Sequence, residues 1–214
     1  MKLSFCITCY DGDYFLLDKL FSALEKQTQA PDELIVYSSG FDDELYFKTE
    51  HLEISGKKID IKYINSLERT IQSIARNICA SFASGDIVVF FDIDDIPHFQ
   101  KIEITKKLFD TNDSDFIVHA YSTTGIEDAP IDLSKSLIKR DLVINPLNTN
   151  IHSESYESMV HHAHIAVKRK CFEKVKFNES FDFYRKEDGK FCQDLLLNNF
   201  NGLYIDEKLV FYTS

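Results

Sequence analysis

The chain predicts an α/β fold built on a central, mostly parallel β-sheet flanked by helices. Three observations carry that expectation. Short apolar runs alternate with amphipathic stretches of helical period through the first 120 residues. Strands spaced by helices in this way form a sheet covered on both faces. The length of 214 residues suits one well-filled domain and is short for two.

The elements follow in order. Residues 3–8 form a first apolar strand. They superficially resemble a signal peptide, but the apolar part is short, no small-residue cleavage site follows, and the run enters Asp11-Gly12-Asp13. Residues 14–27 predict a helix, with Phe15, Leu16, Leu20, Phe21 and Leu24 near a 3.6 period. Residues 34–37 and 59–64 read as strands. Ser66 can cap a helix over 67–81, which Ser84-Gly85 stops. Residues 86–91 are the most strand-like stretch, with five apolar residues after Asp86. Pro97 opens another helix, with Ile102, Leu108 and Phe109 inward, and 116–120 is a fifth strand.

Residues 122–160 are polar and weakly patterned, with Pro130 and Pro146. A long stretch of this kind in a compact domain predicts a lid or acceptor loop. A strand at 163–168, a helix at 187–199 and short strands at 203–205 and 209–212 complete the chain. The expectation is a single domain over 1–214, with a nucleotide-binding half (1–120) and an acceptor or lid half (121–214). It suits a minimal enzyme or the catalytic part of a longer protein.

Composition narrows the function. The net charge of −11 disfavours nucleic acid as a partner, because such binding needs a basic face that displaces counterions. An anionic ligand is then small and neutralised by a local cation. No apolar run approaches the roughly 20 residues of a membrane span. The five cysteines are odd in number and scattered, which suits a reducing, cytoplasmic setting with free thiols. Cys6 and Cys9 form a C-x-x-C, but inside an apparent strand and with no second pair for zinc. They read as packing residues.

The strongest feature is Phe90-Phe91-Asp92-Ile93-Asp94-Asp95, where a buried strand ends in three carboxylates within four residues. Like charges this close raise one another's pKa. A divalent cation removes the conflict, and carboxylate oxygens suit Mg²⁺ or Mn²⁺, which commonly share a phosphate ligand with the substrate. The plain alternative is a solvated acidic loop. In an open α/β sheet, however, a strand's carboxyl end is where ligands bind. Aspartate-nucleophile phosphatases of the haloacid-dehalogenase class also place D-x-D after an apolar strand. Theirs ends the first strand, whereas three strands precede this one.

The stretch Ala75-Arg76-Asn77, then Ala83-Ser84-Gly85-Asp86, an apolar strand and D-x-D-D resembles family 2 glycosyltransferases of the GT-A fold. Ile7-Thr8-Cys9-Tyr10-Asp11 is similar to that family's first strand and T-Y-N. Asp32-Glu33-Leu34-Ile35-Val36 matches its second-strand entry, and Lys186-Glu187-Asp188-Gly189-Lys190-Phe191 its E-D motif ahead of a helix. The A-R-N to D-x-D-D block is the specific part. The resemblance implies a metal-dependent transfer from a UDP-sugar donor to a glycan or other hydroxyl acceptor, with inversion. Non-catalytic nucleotide-sugar binding is the third class to test, beside the phosphatase.

It also implies roles. Thr8 and Tyr10 would border uracil and ribose, and Arg76 would reach the nucleotide. Asp92 would contact the ribose or a metal-bound water, Asp94 would ligate Mn²⁺ or Mg²⁺, and Asp95 would stand close behind. Asp188, or else Glu187, would be the general base. The plain readings are packing for Tyr10, an ion pair for Arg76, and dipole-favoured helix N-terminal charges for Glu187-Asp188. One departure matters. Where the family has paired aspartates after the second strand, this chain has Ser38-Ser39. Ser39 can still hydrogen-bond a base, which is expected to be uracil, but without charge. His161, His162 and His164 form a last cluster, read as surface or acceptor-site residues rather than metal ligands.

Overall fold

The computed structural model describes residues 1–10, 12–40, 49–126, 128–139, 165–180 and 186–213. His161, His162 and His164, Asp11 and most of the predicted lid lie outside these residues.

The described elements are strands β1 (Leu3–Tyr10), β2 (Glu33–Ser39), β3 (His51–Ile54), β4 (Lys57–Ser66), β5 (Ile87–Asp92), β6 (Ile96–Pro97), β7 (Phe116–Ser122), β8 (Ile138–Lys139), β9 (Ile165–Lys168) and β10 (Gly202–Phe211). The helices are α1 (Leu17–Leu24), α2 (Gln72–Ser81), α3 (Lys101–Thr111), α4 (Arg169–Phe172) and α5 (Glu187–Leu197), with a 3₁₀ turn at Tyr14–Leu16. They form one mixed sheet in the order β3-β4-β2-β1-β5-β9-β7-β10-β6, with β8 also on β10. β4, β2, β1 and β5 pair in parallel, as do β7 and β10. β9 runs antiparallel between β5 and β7. The six long strands β4, β2, β1, β5, β7 and β10 therefore all point the same way.

Two cores sandwich this sheet, because alternate strand residues face opposite sides. Leu3, Phe5, Ile7 and Cys9 of β1 join Leu17, Leu20, Phe21 and Leu24 of α1 and Ile102, Leu108 and Phe109 of α3. Cys6 of the same strand joins Ala75 and Cys79 of α2, Phe172 of α4 and Phe191 and Leu195 of α5. No described helix is long and apolar enough to cross a membrane.

Part of the family-like motif is scaffold. A Cβ on Gly85 would lie 2.6 Å from Ser4 Oγ and 2.8 Å from the Ser4 backbone nitrogen. The Gly85 N–H donates to Ser4 Oγ at 2.9 Å. Only glycine lets the two segments approach so closely. Asn77 donates from Nδ2 to the Phe177 carbonyl at 2.9 Å and accepts the Phe177 N–H at 3.0 Å, pinning the segment that precedes α5.

Several boundaries differ from the sequence expectation. β4 extends to Ser66, so α2 starts at Gln72 with Ile71 in extended conformation, and Ser66 does not cap it. Ser66 Oγ instead donates to the Glu68 carbonyl at 3.0 Å. Pro97 pairs with β10 rather than opening a helix, and α3 begins at Lys101. Proline lacks an N–H, and a short edge strand accommodates it. The two last strands are one, β10, with an irregular register around Asp206 and Glu207. Such bulges admit polar residues without ending a strand. β3 is an edge strand that the sequence reading missed, because its alternation spans only four residues. Within the described part of 122–139, Ile131, Leu133 and Ile138 pack on the core, so this stretch is more ordered than its polarity suggests.

Candidate functional site

Strand register gathers the expected residues. Thr8 pairs with Asp92, and Tyr10 pairs with Ser39. Cys6, Tyr37 and Phe90 lie in the core beneath α2 and α5. Period 2 therefore puts Thr8, Tyr10, Ser39 and Asp92 on that same face, at the carboxyl ends of β1, β2 and β5. Thr8 Oγ1 and Ser39 Oγ are buried and have no hydrogen-bond partner among the described residues. Buried polar atoms in native folds nearly always have partners, so these two hydroxyls have hydrogen-bonding capacity open to a ligand. The Arg69 guanidinium lies over the Tyr10 ring, 5.4 Å from its centroid.

Helices α2 and α5 supply the charges. α2 turns Ser73, Arg76 and Ala80 inward at helical spacing. Arg76 is 3% exposed. Its Nη1 donates to Glu187 Oε1 at 3.1 Å and to Asp188 Oδ1 at 2.9 Å. Its Nη2 donates to both oxygens of Asp92, at 3.1 and 3.2 Å. Gln72, one turn before Arg76, donates to Asp92 Oδ1 at 3.3 Å. Glu187 and Asp188 occupy the first turn of α5.

Aromatic packing holds α5 there. Phe177 stacks on Phe191 with centroids 4.1 Å apart, and Phe90 meets both edge-on. Each buried phenylalanine contributes about 1.5–3 kcal/mol, whereas a buried ion network contributes little net stability. The aromatics dock the helix, and the ion network sets the orientation of its carboxylates. The Arg76 guanidinium also lies over Phe177, 5.5 Å from the ring centroid.

One cation thus faces three acids. Burial raises Asp188 well above the ordinary carboxylate range, Glu187 and Asp92 raise it further, and Arg76 opposes them. For Arg76 burial favours the neutral form, but Asp188, Asp92 and Glu187 more than offset it and keep the guanidinium charged.

The acidic turn after β5 divides. Asp94 is exposed, while Asp95 is 1% exposed. Asp95 Oδ1 accepts the Thr213 N–H at 3.2 Å, and Thr213 Oγ1 donates to the Asp94 carbonyl. Although its side chain reaches solvent, partial desolvation within the turn raises Asp94, with the Asp92 charge second. Burial, then Asp92 and Asp94, push Asp95 up to about 8, opposed by the Thr213 N–H and the Lys101 charge. Lys101 is buried against His119 Nε2 and falls to about 7, with burial the main cause. Burial and the Lys101 charge hold His119 well below its usual range.

Among the described residues no three His, Cys, Asp or Glu side chains are gathered as a metal centre. The donor set still fits a Mg²⁺-like ion, which is held by one or two carboxylates together with substrate phosphates. Asp94 offers an exposed carboxylate, and acids that raise Asp94 and Asp95 are relieved by a cation. All five cysteines are free and buried. Cys6 and Cys9 face opposite cores, and burial pushes Cys9 up to about 12. Neither thiol is placed for redox chemistry.

The sequence matches Glycosyl transferase family 2 over residues 4–175. The chain belongs to that family. That membership displaces the phosphatase alternative. The match ends before α5, so Glu187 and Asp188 lie beyond it.

Solved structures share the fold. S. aureus TarS 1-349 in complex with UDP-GlcNAc superposes with TM-score 0.69 at 19% identity, covering 100% of this chain and 59% of that one. The UDP complex of the same protein gives 0.70 at 17% identity, covering 100% and 61%. The Pyrobaculum calidifontis mannosyltransferase PcManGT, in complex with GDP-Man and Mn²⁺, gives 0.63 at 15% identity, covering 96% and 56%. The chain spans about three-fifths of the length of these structures. No curated protein shows significant sequence similarity to it. These likenesses make the fold that of a GT-A glycosyltransferase.

Sequence reasoning overlooked Gln72, Phe177, Thr213 and the Lys101–His119 pair. Gln72 had a signal, its i−4 spacing from Arg76 on one helix face. Thr213 had none, since it meets Asp95 from 118 residues away.

Proposed function

We propose that this domain transfers a sugar from a UDP-type donor to a hydroxyl of a glycan or other acceptor, with inversion. The observation that carries the reading is the convergence of three features at the carboxyl ends of β1, β2 and β5. They are the unpartnered Thr8 and Ser39 hydroxyls, the acidic turn after β5, and the Glu187–Asp188 pair held by Arg76.

In this reading Thr8, Tyr10 and Ser39 border the nucleoside, and Asp92 lies beside the ribose and diphosphate. Asp94, with Asp92 and Asp95 nearby, holds Mn²⁺ or Mg²⁺. When bound, the ion offsets charge developing on the diphosphate leaving group. Asp188 accepts the acceptor hydroxyl's proton as that oxygen attacks the anomeric carbon, and Glu187 stands behind it. One base and direct displacement invert the configuration. Residues 1–120 serve the donor and 121–214 the acceptor. The free buried thiols suit a cytoplasmic setting.

Base preference follows from Ser39. A neutral hydroxyl penalises the wrong base less than a charged group would. Calorimetry with MnCl₂ is expected to show UDP binding more tightly than GDP or ADP by only roughly tenfold. Tighter binding of GDP would refute the uracil assignment.

A further inference from the structure

The family resemblance points Arg76 at the nucleotide, but its surroundings give it other work. Among the described residues, every hydrogen bond of its guanidinium goes to a carboxylate. Those carboxylates come from opposite sides of the site. Asp92 ends β5 on the donor side, and Glu187 and Asp188 begin α5 on the acceptor side.

The geometry needs arginine. Two nitrogens of a planar fork serve two directions at once, which a lysine ammonium on its flexible stem does not reproduce. The aromatic packing of Phe177 under the fork limits its freedom to turn elsewhere. One unit of positive charge is thus shared between the two sides. What Asp92 gains of it, Asp188 loses. A ligand that engages Asp92 must alter the hold on Asp188, and linkage makes that effect reciprocal.

We propose that Arg76 is a positioning residue rather than a nucleotide ligand, joining Asp92 to Glu187–Asp188 so that donor-site occupancy and placement of the base are coupled. This rests on the donor and base assignments above. Removing the charge of Asp188 leaves Arg76 to Asp92 and Glu187. The guanidinium then competes more strongly with a cation for Asp92.

The test is a double-mutant cycle on the full chain, read as calorimetric affinity for UDP with MnCl₂. Asp188→Asn is expected to weaken UDP binding about fivefold or more with Arg76 present, the lower end of ordinary site–site coupling. In the Arg76→Lys background the same change should shift affinity less than about twofold, within the additivity of uncoupled sites. Equal effects in both backgrounds would overturn the proposal, because the two residues would then act on UDP binding independently. Should Arg76→Lys not fold, Asp188→Asn alone decides the matter, and UDP affinity unchanged from wild type in that variant overturns the coupling. Failure of the wild-type chain to bind UDP with Mn²⁺ would remove the functional reading itself and this inference with it.

Discussion

Asp188→Asn is expected to cut sugar transfer by roughly 10²-fold or more, the usual share of general-base catalysis. The substitution keeps shape and removes proton acceptance. Asp188 is in place for the role because Phe191, Cys192 and Leu195 bury the inner face of α5. Arg76 holds its Oδ1 at 2.9 Å. Burial raises it, with Glu187 and Asp92 adding to the shift. A raised base is protonated below its pKa, so transfer should climb with pH along a limb above the ordinary carboxylate range. A base works best with a pKa near the operating pH, which gives the burial a catalytic use. Transfer must fall far more than UDP affinity does, and Glu187→Gln should cost less. Initial rates of UDP release measure both variants. Near-normal transfer by Asp188→Asn would place the base elsewhere and remove the main support for inversion.

Asp94→Ala carries the second large effect. The expected loss of UDP affinity in MnCl₂ is roughly 10²-fold or more, since a metal on the diphosphate is worth several kcal/mol. Asp94 is the exposed member of the acidic turn, while Asp92 is bonded to Arg76 and Asp95 takes the Thr213 N–H. Removing it should leave the fold intact, because no core contact is lost. EDTA should weaken UDP binding in the unmodified chain to a similar extent, with recovery on adding Mn²⁺ or Mg²⁺. The variant should not recover. Unchanged UDP affinity in chelator would count against the cation site.

Much of this was legible in the sequence because it is written locally. Continuous apolar runs such as 87–91, short and rich in β-branched and aromatic residues, suit strands buried on both faces, and their spacing by helices implies the layered sheet. The A-R-N and G-D pieces stood in order ahead of the acidic turn. Asn77 and Gly85 proved to be scaffold, and Arg76 a link between acids. What the sequence hid is tertiary. The bonds from Arg76 to Glu187 and Asp188 span 111 and 112 residues, and no local pattern encodes such a meeting. The start of α2 was misjudged because Ser66 looks like a cap but belongs to the end of a strand. Pro97 looks like a helix opener, yet pairing with β10 claims it first. The apolar pieces 203–205 and 209–212 read as two strands, whereas a bulge between them keeps β10 continuous. The inward turn of Asp95, against the charge of Lys101, depends on burial that its sequence neighbours do not announce.

The most direct test of the central claim is turnover of UDP-sugars by the full chain, with water as the acceptor. A panel of UDP-sugars is incubated with the protein in MnCl₂, and UDP and inorganic phosphate are quantified over time. The account predicts UDP release from at least one UDP-sugar, abolished by EDTA and restored by excess Mn²⁺, without inorganic phosphate. Release of inorganic phosphate, or UDP release at the same rate in EDTA, or none from any UDP-sugar, would contradict it.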